Sequence, residues 1–180
     1  MLRALITIWK CVESVTYLFL DIICVNTMLV KITKNHCKDI YEYANDKDFQ
    51  FYLNGNDNYI YSDAVHFVNM LIEQNLSGKR LYFGIELQGK VVGTAGFLNI
   101  SSKDKTAELG YGISRNFWGT GILRSHVIQI IEIGFSNLML EKILIGVKCS
   151  NYRSISFAKK LGASELNTLN SRKWFQILRP

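Results

Sequence analysis

The sequence is poor in the residues that build metal centres and covalent cross-links. It has three histidines, one proline and four cysteines among 180 residues. The cysteines form no CxxC pair, so the sequence predicts neither a zinc site nor a disulfide framework. The GxGxxG and GK(S/T) forms of dinucleotide and P-loop sites are also absent. With 48% hydrophobic and 20% charged residues, the composition is that of a globular protein. We expect a cytoplasmic protein with reduced cysteines and no metal.

The first 27 residues form an apolar stretch that fits no targeting signal well. Lys10 interrupts the apolar core that a signal peptide would need. The run Ser14–Val30 is shorter than the roughly 20 residues of a membrane span. We therefore expect an apolar extension over residues 1–27, a single domain over residues 28–180 and no membrane association. Met28 is a candidate natural start.

The positive charge is concentrated at the C-terminal end. Residues 141–180 contain eight Lys or Arg and two Asp or Glu, a surplus of six that equals the net charge of +6. Such a surface suits an anionic ligand, a nucleic acid or ribosomal neighbourhood, or plain solvation. No RNA-recognition motif accompanies it, so direct nucleic-acid binding is not expected.

Hydrophobic periodicity predicts a mixed sheet with helices. The predicted strands are Leu29–Thr33, Leu81–Leu87, Val91–Ile100, Thr106–Ile113, Ile143–Lys148 and Arg172–Leu178. The predicted helices are His36–Ala44, Asp63–Asn75, Gly121–Met139 and Asn151–Leu161. The aromatic, polar segment Asn45–Ser62 is interpreted as a long loop, which either faces a substrate or packs its rings against the core. The order of elements predicts an α+β fold with a central, mostly antiparallel sheet and helices on both faces.

The stretch Glu108–Leu123, ELGYGISRNFWGTGIL, indicates an anion site. It predicts a strand that enters a glycine loop and then opens a helix. The first N–H groups of a helix are unpaired and lie at the positive end of its dipole, so they favour a phosphate. Gly119 and Gly121 would let the backbone approach such a ligand closely. Glu108 adds a carboxylate for proton chemistry.

A second motif follows about 30 residues later as N-x-x-S-x(6)-L-G, from Asn151 to Gly162. Together the two motifs resemble those of the GCN5-related N-acetyltransferase (GNAT) superfamily, and most of all its ribosomal-protein N-terminal acetyltransferase branch. The resemblance covers roughly residues 29–178. It implies a GNAT fold in which the fourth and fifth strands splay apart, with acetyl-CoA as the cosubstrate.

The resemblance also implies where acetyl-CoA would bind. Its pyrophosphate would lie on the glycine loop, and its pantetheine would pair with the strand edge as an added strand does. The cofactor-binding residues implied are Gly110, Tyr111, Gly112, Ile113, Trp118, Gly119, Thr120, Gly121, Ile122, Leu123, Arg124, Asn151 and Ser154. Asn151 has a second interpretation as a plain helix N-cap.

The expected reaction is direct attack of a primary amine on the thioester, with Glu108 as the base, acting directly or through a water. A strand glutamate paired with a lysine is the other interpretation of this residue. Many family members carry a tyrosine as general acid where this chain has Ala158, and Tyr111 is a substitute donor that strand alternation places on the face opposite Glu108. The acceptor is either a small-molecule amine or a protein N-terminus, and the protein a monomer or homodimer. A non-catalytic acyl-CoA-binding module of the same fold is the alternative function.

Overall fold

The structure is a computed structural model, and it describes residues 27–53 and 58–180. The strands are β1 (Thr27–Lys31), β2 (Leu81–Leu87), β3 (Lys90–Ser101), β4 (Thr106–Ile113), β5 (Lys142–Lys148), β6 (Ser164–Leu169) and β7 (Arg172–Leu178). The α-helices are α1 (Cys37–Ala44), α2 (Lys47–Leu53), α3 (Tyr61–Leu76), α4 (Ile122–Ser136) and α5 (Tyr152–Lys160). Short 3₁₀ turns lie at Lys34–His36 and Arg115–Phe117.

The seven strands form one sheet in the order β1-β2-β3-β4-β5-β7-β6. Every neighbouring pair is antiparallel except β4 and β5, which run parallel. This parallel pairing covers only Thr106–Glu108 of β4, opposite Lys142–Leu144 of β5. Beyond Glu108 the two strands separate, so the last five residues of β4 have an open edge. The predicted α+β fold and its splayed strand pair are confirmed.

The sheet separates two hydrophobic cores. One lies against α4 and α5 and contains the fully buried Phe97, Ile130 and Phe175. The other lies against α1 and α3 and contains Ile40 and Leu71. Side chains alternate across β4, so its odd-numbered residues face α4 and α5 while its even-numbered residues face the α1 and α3 side. This division decides which side chains meet at the splay, the gap between β4 and β5 beyond Glu108.

The hairpin between β2 and β3 forms where the sequence predicts it. Gln88 and Gly89 both have positive φ, 52° and 79°, as a two-residue type I′ turn requires. The strands Leu81–Leu87, Thr106–Ile113 and Arg172–Leu178 match their predicted bounds.

The predicted loop Asn45–Ser62 is wrong over much of its length. It contains the helix α2, and α3 begins at Tyr61, two residues before the predicted start. Local caps explain both helix starts. Asp46 Oδ1 accepts a hydrogen bond from the N–H of Phe49 at 2.9 Å, and Asp63 Oδ2 accepts one from the N–H of Ile60 at 2.9 Å. These aspartates signal helix N-termini, but the dense aromatic residues around them suggested an irregular segment.

The strand β6 was not predicted. Every one of its residues is exposed, so it carries no apolar alternation from which a strand could be read. It forms because it pairs along its length with β7.

The predicted apolar extension over residues 1–27 lies outside the described residues except for Thr27, which opens β1. His126 is buried, and its Nε2 hydrogen-bonds Thr27 Oγ1 at 2.9 Å. Cys37 and Cys149 are free thiols.

Within residues 27–53 and 58–180, no helix is long and apolar enough to cross a membrane. The same residues include no cluster of three or more metal-ligating side chains.

Candidate functional site

A cavity of about 630 Å³ opens where β4 and β5 separate. Its walls are the end of β4, the loop that leads into α4, the face of α5 and two rings from α2. Ten of the predicted cofactor-binding residues line it, namely Tyr111, Gly112, Ile113, Trp118, Gly119, Gly121, Leu123, Arg124, Asn151 and Ser154. The structure therefore brings the two sequence motifs together in one concave site.

The open edge of β4 presents to this cavity backbone groups that β5 does not pair. The N–H of Ser114 donates to the carbonyl of Val92 on β3 at 2.7 Å. Backbone groups alternate in direction along an antiparallel strand, so those of Tyr111 and Ile113 point away from β3 and into the splay. Trp118 Nε1 donates to the Ile113 carbonyl at 3.0 Å. The edge can therefore pair with an extended ligand, and Trp118 closes one end of it.

The glycine loop presents bare backbone at the start of α4. Gly119 and Gly121 have φ of 79° and 86°, and a Cβ on either would meet no atom within 4 Å. The left-handed φ explains why glycine suits both positions, and the empty space means that a ligand has room against the backbone. Gly121 is the N-cap residue of α4 and has no side chain to cap it.

Three predicted cofactor-binding residues do not line the cavity. Thr120 Oγ1 donates to the Phe117 carbonyl at 2.8 Å, which fixes the turn. Ile122 is fully buried in the core beneath the loop. A Cβ on Gly110 would lie 2.6 Å from the hydroxyl of Tyr82, so this glycine makes room for a ring.

Three cations border the cavity. Arg124 follows the glycine loop on α4, while Arg153 and Lys160 project from α5. The guanidinium carbon of Arg153 lies 4.9 Å from the ring centroid of Trp118, in a cation–π contact. The positive charge beside an open helix N-terminus favours an anionic ligand.

The N-terminus of α5 orders the opposite wall. Asn151 Oδ1 accepts a hydrogen bond from the Ser154 N–H at 2.9 Å, so Asn151 is an N-cap as well as a lining residue. The hydroxyls of Tyr111 and Ser154 are 2.9 Å apart, and the Tyr111 ring packs edge-on against Phe157. Burial raises the pKa of Tyr111 to about 12, so its hydroxyl stays protonated near neutral pH.

Glu108 lies on β4 but does not line the cavity. It is half-buried at the last residue where β4 still pairs with β5. Its Oε2 accepts a hydrogen bond from Asn99 Nδ2 at 3.1 Å. Its partner is therefore this amide, and no lysine within the described residues forms an ion pair with it.

The sequence motifs missed the aromatic part of the site. Phe49 and Tyr52 of α2 line the cavity, and the Tyr52 ring lies 6.2 Å from that of Trp118. They come from the segment that was interpreted as a loop. Arg153, Phe157 and Lys160 follow one another at intervals of three and four residues. That helical spacing is the signal that would have found them.

A family model described as an acetyltransferase (GNAT) domain matches residues 26–164. An uncharacterized N-acetyltransferase, p20, of Bacillus licheniformis is 31% identical over 122 residues. That match covers 67% of this chain and 68% of p20.

Solved structures with the same fold include a spermidine N-acetyltransferase from Vibrio cholerae in complex with CoA and spermine. It superposes with a TM-score of 0.71 at 19% identity, covering 86% of this chain and 96% of that one. The ribosomal L7/L12 α-N-protein acetyltransferase RimL, in complex with coenzyme A, superposes with a TM-score of 0.72 at 17% identity. Its coverage is 85% of this chain and 94% of the other.

Proposed function

The chain belongs to the GNAT acetyltransferase family and uses acetyl-CoA, and from this premise we propose that it acetylates a primary amine by direct attack. The acceptor is an amine on a small molecule or at a protein N-terminus. The observation that carries this proposal is the open edge of β4, which lies beside a bare helix N-terminus in one cavity.

The residues of the cavity fit acetyl-CoA in chemistry. Gly119 and Gly121 leave open backbone at the start of α4, where a pyrophosphate gains from N–H groups and the helix dipole. Arg124 and Lys160 supply charge near the same place. The N–H and carbonyl of Tyr111 face the splay and suit the amide groups of pantetheine, which would bind there as an added strand.

The reaction needs a neutral amine and a place for its proton. A lysine amine has an ordinary pKa of about 10.4, whereas a protein α-amine has one of about 7.7–8.0 and is partly neutral at pH 7. Glu108 is the proposed base, because it is the carboxylate on the strand that borders the splay. The Ile113 N–H points into the cavity and would hydrogen-bond the acetyl oxygen as negative charge develops there.

In this protein Ala158 stands where many family members carry a tyrosine as general acid. Ala158 is fully buried in the core, so it contributes nothing to the cavity. Because the methyl group of Ala158 cannot donate a proton, we expect the CoA thiolate to take its proton from solvent. If the protein transfers acetyl groups although it has alanine at this position, it is an enzyme and not a module that only binds acyl-CoA.

Two matched glycine variants test the binding site. Gly119 and Gly89 share a φ of 79°, and a Cβ on either meets nothing within 4 Å. Gly119→Ala and Gly89→Ala should therefore lose similar stability from the strained backbone, roughly 1–2 kcal/mol. We expect only Gly119→Ala to weaken CoA binding, by about tenfold, because only Gly119 borders the cavity. Isothermal titration with CoA measures the difference, and equal affinities would reject this loop as the pyrophosphate site.

Acetyl transfer itself is tested with acetyl-CoA and a panel of amines. The panel should include polyamines, amino compounds and peptides that differ only in whether their α-amine is free or blocked. Mass spectrometry of the products identifies the acetylated nitrogen without interference from the thiols of the protein. If CoA binds but no member of a broad panel is acetylated, the binding-module interpretation is favoured.

A further inference from the structure

Glu108 and the cavity share one face of β4 but are separated along the strand. Glu108, Gly110 and Gly112 are alternate residues, so all three lie on the α1 and α3 side of the sheet. Gly112 lines the cavity, whereas Glu108 does not. At about 3.3 Å per residue, the two Cα atoms are roughly 13 Å apart. Direct proton transfer requires contact at hydrogen-bond distance, so something must lie between them.

The hydroxyl of Tyr82 occupies the intermediate position. Tyr82 on β2 pairs with Gly96 on β3, and Gly96 pairs with Gly110 on β4, so the three residues form one row across the sheet. A Cβ on Gly96 would lie 2.8 Å from Tyr82 Cδ2, and one on Gly110 would lie 2.6 Å from the Tyr82 hydroxyl. The ring therefore lies flat over two glycines, and its hydroxyl reaches the strand that borders the splay.

Two hydrogen bonds from one side chain hold the backbone of Tyr82. The side-chain amide of Asn75, near the end of α3, donates to the Tyr82 carbonyl at 2.9 Å and accepts from the Tyr82 N–H at 2.9 Å. These two hydrogen bonds fix the backbone of Tyr82, and Gly96 and Gly110 leave the space in which its ring lies. A side chain positioned in this way has little freedom to lose when a reaction begins.

The hydroxyl of Tyr82 is available for a new hydrogen bond. Tyr82 is 7% exposed, and among the described residues no hydrogen bond reaches its hydroxyl. Burial raises the pKa of Tyr82, so the group is a neutral phenol at physiological pH.

We propose that Tyr82 is a further catalytic residue that relays a proton between the acceptor amine at the Gly112 end of the cavity and the Glu108 carboxylate. This inference rests on the proposed function. As the amine nitrogen bonds to the acetyl carbon, its proton passes to the Tyr82 oxygen while the proton of Tyr82 passes through a bridging water to Glu108, whose carboxylate is hydrogen-bonded to Asn99 and not to Tyr82 in the structure. The carbon–sulfur bond breaks, and the thiolate takes a proton from solvent. Glu108 then releases its proton to solvent, so Tyr82 ends unchanged.

The test compares Tyr82→Phe with Tyr43→Phe. Tyr43 is also a buried tyrosine of the α1 and α3 core, but its hydroxyl is 3.1 Å from Thr94 Oγ1 and does not lie over Gly110. With an amine that the wild type acetylates, we expect Tyr82→Phe to lower kcat about 100-fold, at the low end of the roughly 10²–10⁴-fold contribution of positioned proton transfer. Tyr43→Phe should stay within about threefold of wild type, and both variants should bind CoA with unchanged affinity.

A double variant tests whether the two groups act in one path. If Tyr82 works through Glu108, Tyr82→Phe combined with Glu108→Gln should be about as slow as the slower single variant, because groups that act as a unit are not additive. Gly110→Ala gives an independent route, since it displaces the hydroxyl without removing it, and it should also lower kcat. The proposal is overturned if Tyr82→Phe and Tyr43→Phe have the same kcat. It is also overturned if the losses of kcat in Tyr82→Phe and Glu108→Gln multiply in the double variant. A wild type that acetylates nothing would instead refute the proposed function.

Discussion

The contact between Gly110 and Tyr82 makes a quantitative prediction about stability that needs no substrate. A Cβ on Gly110 would lie 2.6 Å from the Tyr82 hydroxyl, but no closer than 3.4 Å to Leu98 and 3.5 Å to the Tyr82 ring carbon Cε2. The clash of Gly110→Ala is therefore with one oxygen atom. Overpacking in a well-packed core costs about 1–3 kcal/mol, and alanine recovers roughly 0.5–1 kcal/mol over glycine in a strand. The net loss should be about 0–2.5 kcal/mol.

Removal of that oxygen should reverse the effect. In the Tyr82→Phe background, Gly110→Ala meets only ordinary van der Waals contacts. It should then be neutral or should stabilise the protein by up to about 1 kcal/mol. The coupling energy between the two positions is therefore expected to be roughly 1–3 kcal/mol.

The assay is guanidinium unfolding of the wild type, both single variants and the double variant, followed by tryptophan fluorescence. The midpoint should shift while the slope stays constant, as a change in stability alone requires. Gly112→Ala is the matched control, because its Cβ would meet Phe49 Cζ at 2.9 Å. Tyr82→Phe should not rescue that variant. If the Gly110 and Tyr82 changes are additive within about 0.5 kcal/mol, the hydroxyl does not lie over Gly110 and the relay loses its geometric basis.

Further predictions concern three other residues. Glu108→Gln should lower kcat at least tenfold with CoA affinity unchanged, as measured by steady-state kinetics and titration; unchanged transfer would exclude Glu108 as the base. Tyr111→Phe removes the hydrogen bond to Ser154 and should cost about 1 kcal/mol of unfolding free energy, or roughly 2–4 °C in Tm; an unchanged Tm would contradict that. Burial lowers the pKa of His126 below 6.5, so the unfolded state binds more protons and the free energy of unfolding should fall as pH drops below about 6.5. His126→Gln should flatten that pH dependence in denaturant titrations from pH 7 to 5, and an unchanged slope would refute the assignment.

The sequence was sufficient where local pattern and motif agree. The strand Thr106–Ile113 was bounded correctly, because a polar turn precedes it and a glycine loop follows it. The helix of the second motif was predicted one residue longer at each end than the observed Tyr152–Lys160, because Asn151 caps its start and Gly162 has the left-handed φ that follows a helix. In these stretches the backbone conformation depends on nearby residues, so the pattern carries the information.

The sequence was insufficient where a distant partner decides the structure. β6 is a strand only because β7 pairs with it. The cofactor assignments of Thr120 and Gly110 stay predictions, but the sequence did not reveal the contacts that these residues make within the protein. The hydroxyl of Thr120 donates a hydrogen bond to the Phe117 carbonyl. The missing side chain of Gly110 makes room for Tyr82, 28 positions earlier in the chain. No local pattern reveals such contacts, because the two partners are brought together only when the sheet forms.

These glycines suggest how the acceptor side of the cavity is built. On the face that bears Glu108, β4 has no side chain at Gly110 or Gly112, and glycine in a strand often marks a close approach by another group. The space above them is filled by Tyr82 from β2 and Phe49 from α2. In the proposed function the strand would supply backbone to the cosubstrate, while elements distant in sequence would supply the side chains beside the reacting amine. Because those elements can vary without disturbing the glycine loop, the acceptor should be determined by residues outside both sequence motifs.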